Sequence, residues 1–268
     1  MPCMRRTLAL GVLCGAAIAA AAWKRLPASA ASEPPASLPQ AEPAAAAPPP
    51  APPAVAPPVA ATHPSLRFVP VSGEAPARVA PADTDSRRVV IYLHGFCSDA
   101  STVADWAPGV QRHATLIALH GELGCDGQPG RHRWGNDIRF IDYRIARAVR
   151  SVGKSLGREL DPSSVTIVGY SEGAARAESL AWLYPGRYRR AVLMSAPEPP
   201  VFDRVRRLDR LAVLRGGREY QRTYRLAAEH YDRAGVPSRY WELPGATHGE
   251  LGHEGARVLR EVFDFVER

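Results

Sequence analysis

The chain has 268 residues with 34 Lys or Arg against 27 Asp or Glu, a formal net charge of +7, 26 prolines and four cysteines. Nearly all the positive charge is dispersed arginine, with lysine only at Lys24 and Lys154, so no basic run with interleaved aromatics marks a nucleic-acid groove. No cysteine sits in a Cys-x-x-Cys or Cys/His spacing, which argues against a metal site.

Residues 1–30 read as a signal peptide or N-terminal membrane anchor. Arg5 and Arg6 precede Thr7–Ala22, an uncharged run of 16 residues, short of the roughly 20 that span a bilayer comfortably. Ala28-Ser29-Ala30 suits cleavage, but Trp23, Lys24 and Arg25 lie between the run and that site, so attachment to a membrane through an uncleaved segment stays open. Cys14 follows Gly11-Val12-Leu13, a poor lipoprotein processing site. Residues 31–64 read as an Ala/Pro-rich disordered linker. The stretch Pro27–Pro64 holds 13 of the 26 prolines and only two charges, Glu33 and Glu42. Such a segment favours extended polyproline conformations of about 3 Å per residue and buries no core. The expected location is extracytoplasmic: secreted, periplasmic or anchored on the outer side.

Residues 65–268 suffice for one α/β domain, with 34 − 4 = 30 basic and 27 − 2 = 25 acidic residues once the N-terminal charges are set aside. The dispersed arginines read as solvated helix faces. Strand-like runs fall at Leu66–Val71, Val89–Leu93, Thr115–Leu119, Val165–Val168, Ala191–Met194, Leu211–Leu214 and Ser238–Glu242, several of them continuously apolar, as in strands buried on both faces. A helix is predicted over Asp137–Leu156, where Ile138, Ile141, Ile145, Val149, Val152 and Leu156 share one face. Another apolar face runs through Val258, Leu259, Val262, Phe263 and Val266. Alternation of this kind specifies a three-layer α/β/α sandwich around a mostly parallel, twisted sheet of about seven or eight strands.

The chemistry gathers at strand ends. Val89–Leu93 runs into His94-Gly95-Phe96. The strand Val165–Val168 runs into Gly169-Tyr170-Ser171-Glu172-Gly173, a Gly-x-Ser-x-Gly turn that exposes the serine hydroxyl at the start of a helix. The Phe96 and Glu172 N–H groups are the expected oxyanion donors, with only their backbones engaged. His94 reads as a structural histidine under the loop. Leu243–Glu250 places His248, the expected general base, in a small-residue loop; His253 is expected to fall already inside the last helix. The acid should lie between the serine and this histidine. Glu219, after Leu211–Leu214 and Gly216-Gly217, is the first choice; Asp203 is the alternative and Glu242 a remote third. His120 reads as structural or substrate-lining. Cys97 and Cys125 belong to this domain, and an oxidising compartment permits a disulfide between them.

These residues, in this order, resemble the α/β-hydrolase family over about Val89–Arg268, especially its compact, lidless members among esterases, dienelactone-hydrolase-like enzymes and prolyl-oligopeptidase-like domains. The resemblance implies a cofactor-free and metal-free serine hydrolase with Ser171, His248 and Glu219 as its triad, although aspartate is the commoner acid. It places the strands that end near Cys97 and Cys125 side by side, which implies a bridge. Only 16 residues separate Met194 from Leu211, too few for a cap, so an open cleft is expected, with the Gly121–Trp134 loop as one wall. The expected substrate is a small-molecule or polymeric ester. The alternatives are a serine peptidase with the same triad, or a tethered, non-catalytic binding protein that keeps the fold.

Overall fold

The computed structural model describes residues 66–268; the signal or anchor and the linker expected over 1–30 and 31–64 lie outside the described residues. In chain order the elements are β1 (Arg67–Val69), β2 (Ala77–Ala80), β3 (Val89–Leu93), a 3-10 turn (Ala100–Val103), α1 (Ala107–Gln111), β4 (Thr115–Leu119), β5 (Leu123–Cys125) and β6 (Gln128–Arg133). There follow α2 (Ile138–Leu156), β7 (Val165–Tyr170), α3 (Glu172–Leu183), β8 (Tyr188–Met194), α4 (Phe202–Val205), β9 (Arg210–Gly216), α5 (Arg222–Arg233), β10 (Ser238–Leu243) and α6 (Gly255–Val266).

Eight strands form one sheet in the order β1-β2-β4-β3-β7-β8-β9-β10. The β1/β2 and β2/β4 pairs are antiparallel, and every later neighbour is parallel. Strand alternation feeds two cores. Val89, Ile91 and Leu93 of β3 face the core shared with α2, α3 and α5, while Val90 and Tyr92 face the core shared with α1 and α6. This is the expected three-layer sandwich. No large cap is inserted: the stretch between β8 and β9 holds only the four-residue α4.

Helix α2 begins where its sequence suggests, because the Asp137 carboxylate accepts the Phe140 N–H at 3.1 Å as an N-cap. Register carries the consequence for function. Leu93 pairs with Gly169, Gly169 with Leu193, Met194 with Leu214 and Gly216 with Leu243, so the residues after β3, β7, β8, β9 and β10 emerge along one edge, where the strand order diverges.

Several expectations need correction. The first strand shrinks from Leu66–Val71 to Arg67–Val69, and β2, lying between Pro76 and Pro81 with Arg78 in its middle, is made a strand by its antiparallel partners rather than by its own pattern. The segment Gly121–Trp134 is a two-stranded hairpin, β5 against β6, although β6 contains Pro129 and Gly130. Two arginines are core residues, not solvated ones. Arg144 is 4% exposed and binds Glu74 at 2.9 Å, Glu122 at 3.1 Å and the His120 carbonyl at 2.7 Å. Arg190, 8% exposed, donates to Thr166 at 2.9 Å. Among the described residues, no helix is long and apolar enough to cross a membrane.

Candidate active site

Ser171 stands at the turn from β7 into α3 with φ 51°, a conformation that L-residues rarely adopt. Its N–H is anchored to the Met194 carbonyl at 2.9 Å. The flanking glycines are required by close backbone approach: a Cβ on Gly169 would lie 2.2 Å from the Gly173 carbonyl oxygen, and one on Gly173 would lie 2.1 Å from that of Leu93. The strained turn therefore presents the Ser171 side chain at the sheet edge, at the N-terminus of a twelve-residue helix.

His248 reaches this point from the loop between β10 and α6. Its Nε2 accepts the Ser171 hydroxyl at 3.0 Å, and its Nδ1 donates to Glu219 Oε1 at 2.8 Å. The loop is held partly by Tyr170, whose hydroxyl accepts the Gly249 N–H and whose ring centroid lies 5.6 Å from that of His248.

Glu219 follows β9 and is tightly fixed, its side chain only 7% exposed. Oε2 accepts the Ser195 hydroxyl at 2.6 Å and the Gly216 N–H at 2.7 Å, which leaves Oε1 for His248. Arg215 stands 3.3 Å from Oε1. Burial pushes this carboxyl upward, but the hydrogen bonds from Ser195, His248 and Gly216, with the Arg215 charge, outweigh it and hold the group below the ordinary carboxylate range. Asp203 is not brought here: it lies on α4, exposed, 3.7 Å from Arg206. Glu242 is also remote, facing Arg225 at 3.9 Å.

Phe96 and Glu172 flank Ser171 as the chain order suggests, and among the described residues neither backbone N–H donates to a protein acceptor. The Glu172 side chain, expected to play no part, accepts the Trp134 N–H at 2.9 Å and so ties the nucleophile turn to the end of the β5/β6 hairpin. His94 is fully buried. Its Nε2 accepts the Gly121 N–H at 2.9 Å, so Nδ1 carries the proton donated to the Gly95 carbonyl at 2.7 Å. Burial lowers its pKa to about 4, and it stays neutral as a strut beneath the Gly95-Phe96 loop. His120 lies 6.3 Å from the His94 ring and 5.1 Å from that of His132, within the same packing group and not among the cavity-lining residues.

Cys97 and Cys125 form a disulfide. With the paired backbone bonds between Ser98 and His132 at 3.1 and 2.9 Å and the Arg131–Asp99 contact at 3.0 Å, it fastens the hairpin to the 96–99 segment. The hairpin is thus a buttress behind the wall and not the wall itself, because Cys97 and Ser98 line the cavity and no residue of 121–134 does. His253 also departs from expectation: it lies in the turn before α6 and faces Glu254 at 3.7 Å, because the helix starts only at Gly255.

The resulting cavity has a volume of about 420 Å³ and opens beside Ser171 between Tyr92, Phe96, Trp106, Met194 and Leu251. Sequence reasoning missed Ser195, Tyr170 as a loop anchor, and Trp106. Ser195 carries no motif; its one signal is its place directly after a buried strand. Among the described residues, no group of three or more His, Cys, Asp or Glu is arranged to hold a metal ion.

No family model matches the chain and no curated protein matches it in sequence. Solved structures match it in fold. Esterase PE8 superposes with a TM-score of 0.54 at 15% identity, covering 71% of this chain and 98% of that one. A carboxylesterase from Mesorhizobium loti gives 0.52 at 22% identity, covering 74% and 100%, and the Bacillus cereus carboxylesterase gives 0.52 at 16%, covering 70% and 92%. At such identities the likeness concerns the fold.

Proposed function

The chain has the α/β-hydrolase fold, and on that footing we propose that it is a serine hydrolase that cleaves carboxylic esters through an acyl-enzyme on Ser171. The observation that carries this reading is the unbroken hydrogen-bond path from Ser171 Oγ through His248 to Glu219, at 3.0 and 2.8 Å, beside two unspent backbone N–H groups. His248 Nε2 takes the serine proton as Oγ bonds to the ester carbonyl carbon. The carbonyl oxygen becomes an oxyanion facing the Phe96 and Glu172 N–H groups, an arrangement that contributes several kcal/mol where it occurs. Collapse breaks the ester C–O bond, and His248 returns the proton to the departing alcohol. A water then repeats the sequence: His248 takes its proton as its oxygen bonds to the acyl carbon, the acyl–Ser171 bond breaks, His248 returns the proton to Ser171 Oγ, and the acid leaves. Glu219 holds the imidazole in the productive tautomer and stabilises imidazolium without taking the proton.

The test is labelling of the protein with a fluorophosphonate probe beside Ser171→Ala and His248→Ala variants. Labelling of the wild type that is lost in both, with turnover of p-nitrophenyl esters lowered by about 10⁴-fold or more, is the expected result; a folded wild type that neither labels nor turns over overturns the reading. The fold also occurs in the esterases named above, which supports ester over amide cleavage. Export is proposed as well. The Cys97–Cys125 disulfide supports an oxidising compartment, and a mature chain that starts near Ala31, read by N-terminal sequencing of the native protein, would establish cleavage, whereas retention of Met1 would point to an anchor.

A further inference from the structure

We infer that the cavity beside Ser171 is an acyl pocket for uncharged, apolar acyl groups of medium length, an inference that rests on the proposed hydrolase activity and goes beyond it in naming the substrate class. Three observations carry it. First, the lining is largely apolar: Trp106 and Met194, each 1% exposed, contribute to it together with Phe96, Leu251 and the ring of Tyr92. Second, none of the thirteen lining residues is Asp, Glu, Lys or Arg, so a carboxylate or ammonium on the bound group would lose its hydration and gain no partner. Beside Ser171, the lining hydroxyls are those of Thr102, which donates to that of Tyr92 at 3.1 Å, of Tyr170, which accepts the Gly249 N–H, and of Ser98, all of them uncharged. Third, size sets a limit. A cavity of about 420 Å³ stands at the lower end of the roughly 300–1,000 Å³ range of ligand sites. At about 30 Å³ per water-sized atom and with incomplete filling, it accommodates about eight to ten carbons.

The covalent step decides which half of the ester enters. The acyl group stays bonded to Ser171 while the alcohol must depart, so the cavity, with the buried Trp106 and Met194 in its lining, is assigned to the group that is retained. Trp106 is a specificity residue in this arrangement: stacked on Phe263 at 5.7 Å and donating from its indole N–H to the Thr102 carbonyl at 3.1 Å, it forms a fixed end to the pocket.

The experiment uses the full chain and p-nitrophenyl esters from acetate to dodecanoate, a p-nitrophenyl monoester of a dicarboxylic acid, a series of acetates with lengthening alkyl alcohols, and fluorophosphonate labelling of the same preparation. The expected result is a kcat/KM that rises about threefold per methylene up to an acyl length near octanoate and then falls. A matched chain ending in carboxylate should be slower by about 100-fold, and lengthening the alcohol should matter little. Leu251→Trp should lower the octanoate-to-acetate ratio by about tenfold. Should that variant fail to fold, the wild-type series decides alone. Labelling with a flat or falling acyl series, acceptance of the anionic chain, or a stronger dependence on the alcohol overturns this inference and leaves the hydrolase standing; absence of both labelling and turnover removes the two together.

Discussion

Two walls of the cavity meet beside Ser171, and they are held in different ways. The nucleophile turn, residues 168–174, is fixed by exclusion: its glycines lie against the backbones of β3 and α3, at distances no side chain would fit, and its strands are buried on both sides. The second segment, residues 94–99, runs from the buried His94 and Gly95 out to the surface at Phe96, 62% exposed. It is held by its own buried His94 ring, which accepts the Gly121 N–H, and by attachments from elsewhere: the Cys97–Cys125 disulfide and the Ser98–His132 backbone pair. One wall is set by sterics that solution conditions do not alter, whereas the other depends on a cross-link and on side chains that arrive from distant sequence. The positions of the two proposed oxyanion donors, one on each wall, therefore rest on different physics.

Substitutions on each wall test that contrast. The largest effect is expected on the nucleophile side. In Gly173→Ala the new Cβ meets the Leu93 and His94 carbonyls at 2.1 and 2.6 Å. Separating β3 from the turn costs about 4 kcal/mol and lowers Tm by about 10 °C, which thermal unfolding by circular dichroism will read; ester turnover should fall more than 100-fold. An unchanged Tm would refute the steric account. On the second wall, Cys125→Ser removes a cross-link spanning 28 residues and costs about 3 kcal/mol. Because the released segment carries the proposed Phe96 donor, kcat should fall about tenfold with KM nearly constant. Wild-type protein treated with dithiothreitol should match it, and Gly173→Ala, which keeps the disulfide, should lose a similar further amount of stability on reduction.

The smallest effect sharpens the comparison at Glu219, which belongs to neither wall. Ser195→Ala deletes the 2.6 Å bond that helps to leave Oε1 for His248 and should lower kcat about threefold to fivefold. A carboxyl whose folded pKa is held below its ordinary value near 4.5 is protonated first in the unfolded chain. Its stabilising contribution is therefore complete above about pH 4.5 and is lost as pH falls through the depressed folded value. Ser195→Ala raises that folded value, so the loss of Tm between about pH 5 and pH 3 should be shallower than in the wild type. A parallel acid limb would show that Ser195 does not hold Glu219.

How much of this was legible beforehand varies with the range of the interactions. The parallel strands and α2 were readable because burial on two faces, or on one helical face, imposes apolar runs or a repeating apolar spacing on the local sequence. The Gly-x-Ser-x-Gly turn was readable because backbone crowding demands glycine at two fixed offsets. By contrast, β2 and β6 carry Arg78, Pro129 and Gly130, and become strands only through their partners. Arg144 looked like a surface cation because its acidic partners, Glu74 and Glu122, lie far from it in the chain.

The sequence by itself thus determined the sandwich architecture, the exposed serine at the end of a central strand, and the chain order of Ser171, Glu219 and His248, all of which leave a mark within a few residues. Only the tertiary structure decided which carboxylate meets His248, that Ser195 secures it, that the Gly121–Trp134 segment is a buttressing hairpin, and that Trp106 lines the cavity. The physical reason is that these are contacts between side chains separated by tens of residues: no local periodicity or backbone constraint records them, and they exist only once the sheet register has brought the strand ends to one edge.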